Sequence, residues 1–244
     1  MNAIFWAALA ALLLLCVPEA RRHPRLIALA ALLYGLDDLA VMLPVWYQMQ
    51  VSGTHGNWTG KLLSVGLSLL LIYGFRVVSP AEAGLTRPAP GSLRQVLPVV
   101  LALTALQFGG AFWFRHTHAA LPPGWEGHLY QWTMPGLAEE LFIKGLWLGL
   151  LARVFPRTLP WLGTRTSWGG VIGLALFVLG HVLTFNMGPL QFLPGIRPSL
   201  EVPLTVAFWG GLFLWVRERT GSTLAAVVAH NLINAALYLG LALP

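Results

Sequence analysis

Charged residues are scarce in this chain. Asp, Glu, Lys and Arg together make up 10% of its 244 residues, against about 25% in a soluble domain. That scarcity excludes an ordinary water-soluble globule. Cysteine is nearly absent too. Cys16 stands alone in an apolar run, so no internal disulfide can form and no neighbouring charge would activate the thiol. Acidic residues are few, 9 against 15 Lys and Arg, for a formal net charge of +6. Such a balance could suit nucleic acid, but the basic residues sit in short loops between apolar runs, as positive-inside topology demands. Nucleic acid is therefore excluded as a partner, and membrane lipid is expected. There is no internal repeat, no low-complexity tail and no Gly-x-Ser-x-Gly nucleophile elbow. What the chain has instead is 57% hydrophobic residues and a mean hydropathy of +0.69, the composition of a multi-pass membrane protein.

Apolar periodicity predicts an all-α fold of about eight transmembrane helices. The spans expected are 2–17, 26–46, 62–78, 96–114, 136–151, 168–185, 204–216 and 223–243. The first lacks a basic leading segment and reads as a retained helix rather than a signal peptide. Residues 1–135 would supply N-terminal helices and loops, and residues 136–244 a catalytic core, in one continuous membrane domain. Arg21, Arg22, Arg25, Arg76, Arg87, Arg94, Arg153, Arg157, Arg165, Arg217 and Arg219 fall on one side; Lys61, Arg115 and Arg197 fall on the other. The arginine-rich side should be cytoplasmic, with both termini outside. Within the second span, Asp37 and Asp38 lie at mid-depth and need a polar partner that the sequence does not name. Asn57-Trp58-Thr59 matches a glycosylation sequon, a motif short enough to occur by chance. His116, His118 and His128 are read as solvated loop residues, and the turn Arg217 to Ser222 as a tight charged connection. The stretch 186–203, rich in proline and glycine, could dip into the membrane where protein or water covers its backbone.

The fifth span is the exception to the apolar rule. It carries Glu139, Glu140 and Lys144, and each charge at the bilayer centre costs roughly 2.5–3.5 kcal/mol on insertion scales. Glu140 and Lys144 are four apart and can pair, which leaves Glu139 without a local partner. At about 1.5 Å per residue, Glu139, His181, His230 and Asn234 fall in one layer, in the half of the bilayer away from the arginine-rich face. Gly145 and Gly149 form one GxxxG pair and Gly169 and Gly173 another, so the fifth and sixth spans are expected to pack closely and set Glu139 facing His181. His230 and Asn234, four apart, share a helical face.

This set allows hydrolysis. A carboxylate and a histidine facing each other can hold and deprotonate a water. A second histidine and an amide can donate to a developing oxyanion. The bond attacked is most simply a peptide, with the active site inside the bilayer. The same Glu139, His181 and His230 would also serve as zinc ligands with a metal-bound nucleophile, and residue types alone do not separate the two. A binding or scaffold protein without catalysis is a further alternative. A transporter using Asp37, Asp38 and Glu139 is disfavoured by the lack of inverted repeats.

From Gly136 to Leu243 the sequence resembles the CPBP glutamate intramembrane proteases. That family includes the Ras-converting type of CAAX prenyl endopeptidase and the bacterial Abi proteins linked to bacteriocin processing and self-immunity. Its Glu-Glu-x-x-x-Arg motif is matched by Glu139-Glu140 with Lys144 last, Phe-x-x-x-His by Phe177 and His181, and His-x-x-x-Asn by His230 and Asn234. The approach Arg219 to Leu224 and Ala229-His230-Asn231 is also similar. The resemblance implies that Glu139 and His181 activate water, that His230 and Asn234 form the oxyanion hole, and that Glu140 orients the site through its basic partner. It also implies catalysis without metal or other cofactor, on a peptide or membrane-protein substrate. Two departures stand out. Lysine at 144 lacks the planar, bidentate contact of arginine. The arginine count opens the site to the side opposite the cytosolic one of the prenyl-processing members. Abundant arginine and little lysine suggest a prokaryotic multi-pass protein of the cell membrane with a GC-rich genome.

Overall fold

The computed structural model describes residues 2–51, 54, 56–118, 122–185, 194–196 and 200–243. Its N-terminal half holds α1 (Asn2–Leu15), a 3-10 turn (Pro18–Arg22), α2 (Pro24–Trp46), α3 (Trp58–Leu69, extended by a wider π turn over Leu70–Gly74) and α4 (Leu93–His118). Pro24 opens α2 at the position where a missing N–H costs nothing. Asn57 caps α3 by accepting from Gly60 N at 3.1 Å. The same side chain donates to Val41 O at 2.9 Å, so the sequon asparagine is committed to the fold.

The C-terminal half runs through α5 (Trp125–Pro135), a π-wound segment (Gly136–Trp147) and α6 (Leu148–Leu151) as one helical stretch. Winding widens to i→i+5 bonds immediately after Pro135, which has no N–H to give the ladder. Then follow β1 (Leu159–Trp161), β2 (Thr164–Thr166), α7 (Trp168–Val182), β3 (Leu183–Phe185), β4 (Pro194–Ile196), α8 (Glu201–Thr220) and α9 (Thr223–Ala242). β1 and β2 pair antiparallel around Leu162-Gly163, whose φ values of 45° and 76° meet the left-handed requirement of a tight two-residue hairpin.

The all-α expectation holds, with two three-residue antiparallel ribbons, β1–β2 and β3–β4, as small additions to it. Several finer expectations are corrected. His116 and His118 end α4, and His128 lies on α5, so none is a plain loop histidine. Arg217 to Thr220 are the last turn of α8, and the charged connection shrinks to Gly221, at φ 68°, and Ser222. The sixth helix ends at Val182, short of Phe185, and α8 is longer than its expected 204–216. The proposed membrane dip over 186–203 lies largely outside the described residues. Among the described residues, three helices are long and apolar enough to cross a membrane: Pro24–Trp46, Leu93–His118 and Thr223–Ala242. Shorter apolar helices cover Ala3–Leu15, Trp58–Gly74 and Trp168–Val182.

Two apolar clusters hold the elements together. In one, Tyr34 of α2 meets Phe142 and Trp147 edge-on at 5.8 and 5.7 Å, and Trp147 Nε1 donates to Ala30 O at 2.9 Å in the buried interior. The other joins Val96 and Val100 of α4 to Phe213 of α8 and Ile233 of α9. The glycine pairs do not meet as expected. Gly173 lies against Trp147 and Ile143, and Gly169 against Leu151, so α7 does pack on the glutamate segment. Gly145 and Gly149, however, face the backbone of the 79–92 loop at Ala83 and Glu82. That loop is fastened to the α8–α9 turn by Ala89 N→Thr220 O and Thr223 N→Gly84 O, both 2.8 Å. At the same end Arg153 forks onto Glu82 at 2.8 and 2.9 Å, and Arg217 reaches the carbonyls of Lys144 and Glu82.

Candidate active site

The π-wound segment, α7 and α9 bring Glu139, His181, His230 and Asn234 to one cavity of about 280 Å³. Phe177, Trp209 and Phe213 supply an aromatic wall. All four candidate residues therefore meet, as the depth estimate anticipated.

Glu139, which has no local partner, finds a distant one. Its Oε1 accepts from Lys61 Nζ of α3 at 2.7 Å, with both side chains largely shielded. Glu140 points the other way and is fully buried. Its Oε1 bonds His230 Nδ1 at 2.9 Å, and its Oε2 meets Lys144 Nζ at 2.6 Å as an ion pair rather than an aligned hydrogen bond. The ammonium also lies 5.3 Å from the Phe177 ring centre and 5.9 Å from that of Phe213, within reach of cation–π attraction. Lysine thus fills the arginine position by exchanging a bidentate fork for one carboxylate oxygen and two ring faces. Phe213 in turn stacks on His230, 4.3 Å between ring centres and 13° between planes.

The two histidines present different faces. His181 Nδ1 is 2.8 Å from the carbonyl of Phe177. A ring nitrogen facing a carbonyl carries the proton, so Nε2 of the neutral ring holds a free lone pair. His230 Nδ1 likewise donates to Glu140, and its Nε2 can donate too only when the ring carries two protons. Asn234 Nδ2 donates to Gln131 Oε1 of α5 at 3.1 Å, with its second amide hydrogen still available. Asn231 fastens the α5 junction: its Oδ1 accepts from Gly136 N at 2.9 Å and its Nδ2 donates to Thr133 O at 3.1 Å.

Sequence reasoning missed Lys61 and Gln131. Lys61 looked like a loop cation; the signal against that was Asn57, a strong N-cap residue that sets Lys61 in the first turn of α3. Gln131 lies on α5, a short helix without a clear apolar period to mark it in the sequence. Asp37 and Asp38 stay outside the cavity lining. Asp37 Oδ1 accepts from Ser64 Oγ at 2.5 Å, the partner the sequence did not name; Asp38 Oδ2 is buried without a hydrogen-bond partner. His128 packs against Trp132 and Tyr238 and does not line the cavity. Among the described residues no group of three His, Cys, Asp or Glu side chains is placed to hold a metal ion.

Residues 125–236 match the family described as type II CAAX prenyl endopeptidase Rce1-like. No curated protein and no solved structure matches the chain. The matched segment carries Glu139, Glu140, Lys144, Phe177, His181, His230 and Asn234 together. Over residues 125–236, a little under half of its length, the chain is thus similar to the Rce1-like family of type II CAAX prenyl endopeptidases.

Proposed function

We propose that the protein is an intramembrane endopeptidase that hydrolyses a peptide bond with a water activated by Glu139 and His181. The observation that carries this reading is the convergence of Glu139, His181, His230 and Asn234, from three separate helices, on one cavity. In the reaction proposed, Glu139 and His181 Nε2 flank the water and take its proton as its oxygen attacks the scissile carbonyl. The carbonyl oxygen becomes an oxyanion facing His230 Nε2 and the free amide hydrogen of Asn234. Donation from both ring nitrogens makes His230 an imidazolium, whose charge is balanced by Glu140, held in turn by Lys144. The proton taken from water passes to the leaving amine as the C–N bond breaks.

The aromatic wall of Phe177, Trp209 and Phe213 favours an apolar stretch of peptide or membrane protein as substrate. The setting we infer is the cell membrane of a prokaryote, crossed by about eight spans, with residues 136–244 as the catalytic core and lipid around it. Exposed Leu106, Trp113 and Val228 supply lipid-facing surface.

The test is a survey of newly created protein N-termini in native membranes, comparing wild type with Glu139→Gln. Termini found only with wild type are expected, because losing a general base lowers rates by about 10²–10⁴. Their positions name the substrate and the side to which the site opens. Identical profiles, with the variant present at normal level, would reject hydrolysis and favour a scaffold.

A further inference from the structure

We propose that Lys61, on α3 and outside the family-matched segment, is a positioning residue of this site: its ammonium fixes the Glu139 carboxylate by one oxygen and aims the other at the cavity. The inference rests on the endopeptidase reading above. Among the described residues, Lys61 is the only Lys or Arg that lines the cavity, and its bond to Glu139 Oε1 is 2.7 Å. A carboxylate on a flexible stem has many rotamers. A charge-assisted bond to one oxygen removes most of them and leaves the second oxygen for water.

The surroundings of Lys61 are built to hold it still. Asn57, one turn earlier, ties the start of α3 to α2 through Val41 O and also accepts from Gln50 Nε2 at 3.0 Å. A Cβ at Gly60 would collide with the same Val41 carbonyl, so α3 begins in direct backbone contact with α2. Glu126 of α5 accepts from Trp58 Nε1 at 2.6 Å and from Gly56 N at 3.2 Å. Trp58 packs edge-on to Tyr130, 5.3 Å between ring centres. Three residues beyond Lys61, Ser64 bonds Asp37 of α2. Lys61 and Ser64 share a helical face, so the Ser64–Asp37 bond, unexplained by the catalytic set, fixes the rotation of α3 that presents Lys61. Two helices outside the matched segment thus converge on one ammonium.

The test uses the purified full chain in liposomes, with a quenched-fluorescence peptide spanning a cleavage site found in the N-terminus survey. Lys61→Met is expected to lower kcat about 100-fold, the loss that a misplacement of about 1 Å produces, with KM little changed. Lys61→Arg, which keeps a cation on Glu139, is expected to recover part of that loss. A melting-temperature cycle supplies a readout independent of turnover: Lys61→Met and Glu139→Gln should each lower the melting temperature, and the double variant should lower it by less than their sum. Full kcat in a folded Lys61→Met, a kcat loss that only tracks the unfolded fraction, or an additive melting cycle would each overturn the positioning role. No cleavage by wild type would overturn the endopeptidase reading itself, and the role of Lys61 with it.

Discussion

At the scale of single residues, the site depends on how each buried charge is matched. Glu140 is shared between His230 and Lys144, so removing the lysine leaves a carboxylate paired only through an imidazole. Breaking a buried pair from one side costs about 3–5 kcal/mol. Lys144→Met should therefore lower the melting temperature in detergent sharply and abolish activity. Lys144→Leu/Glu140→Leu, which removes both charges, should melt closer to wild type while remaining inactive, and a melting curve as low as that of Lys144→Met would refute the pairing. Lys144 and Glu140 were legible as a pair because four residues on one helix settle the matter locally. Lys61 and Glu139 are 78 positions apart, and no local pattern joins them.

At the scale of elements, the helix ends and close approaches decide stability. Ser222 accepts from Ala225 N at 3.4 Å at the start of α9, the helix carrying His230 and Asn234. Ser222→Ala is expected to cost about 1 kcal/mol, read as a lower chemical-denaturation midpoint. Two glycines give opposite outcomes. A Cβ at Gly149 would sit 2.8 Å from the Glu82 carbonyl, whereas at Gly66 of α3 nothing lies within 4 Å. Gly149→Ala should destabilise, because backbone must move. Gly66→Ala should stabilise by about 0.5–1 kcal/mol through the lower entropy of the unfolded chain. If Gly149→Ala left stability unchanged or raised it, the assignment of Gly149 to the loop contact would be wrong. The GxxxG pairs named correctly which helices come close. They could not name the partner of Gly145 and Gly149, since small residues permit approach by any backbone.

At the scale of the whole molecule, the arginine-rich end works as a clasp. The Arg153 guanidinium, together with the Ser79 amide and hydroxyl, holds the Glu82 carboxyl down at about 2, below its ordinary 4.5. A carboxyl depressed in the folded state adds stability that is present above its unfolded value and is lost as pH falls toward the folded one. The melting temperature should thus decline between pH 4.5 and 2, and Glu82→Gln should flatten part of that decline. The effect should be modest, because Glu82 and Arg153 are both more than a third exposed. A pH profile unchanged by Glu82→Gln would show that the clasp carries no folding energy. The loop it closes, 79–92, joins the N-terminal helices to the α8–α9 turn, so the two halves of the chain are fastened beneath the site as well as at Lys61.

The sequence by itself determined the apolar, helical character of the chain, most helix positions and the set Glu139, His181, His230 and Asn234 that shares one cavity. Those follow from local quantities: apolar run length, the rise per residue, and the cost of a charge in hydrocarbon. It also determined that Glu140 would pair with Lys144, a contact within one turn. Tertiary structure decided the rest. The widened winding after Pro135, the committed role of Asn57, the Asp37–Ser64 bond and the Gln131–Asn234 contact each depend on what a distant segment presents. The hairpin at Leu162-Gly163 was missed because a two-residue turn in an arginine-bearing connection has no periodicity to read. Most of all, the structure decided which cation meets Glu139, because a charge-assisted bond is chosen by distance in space, and separation along the chain says nothing of that distance.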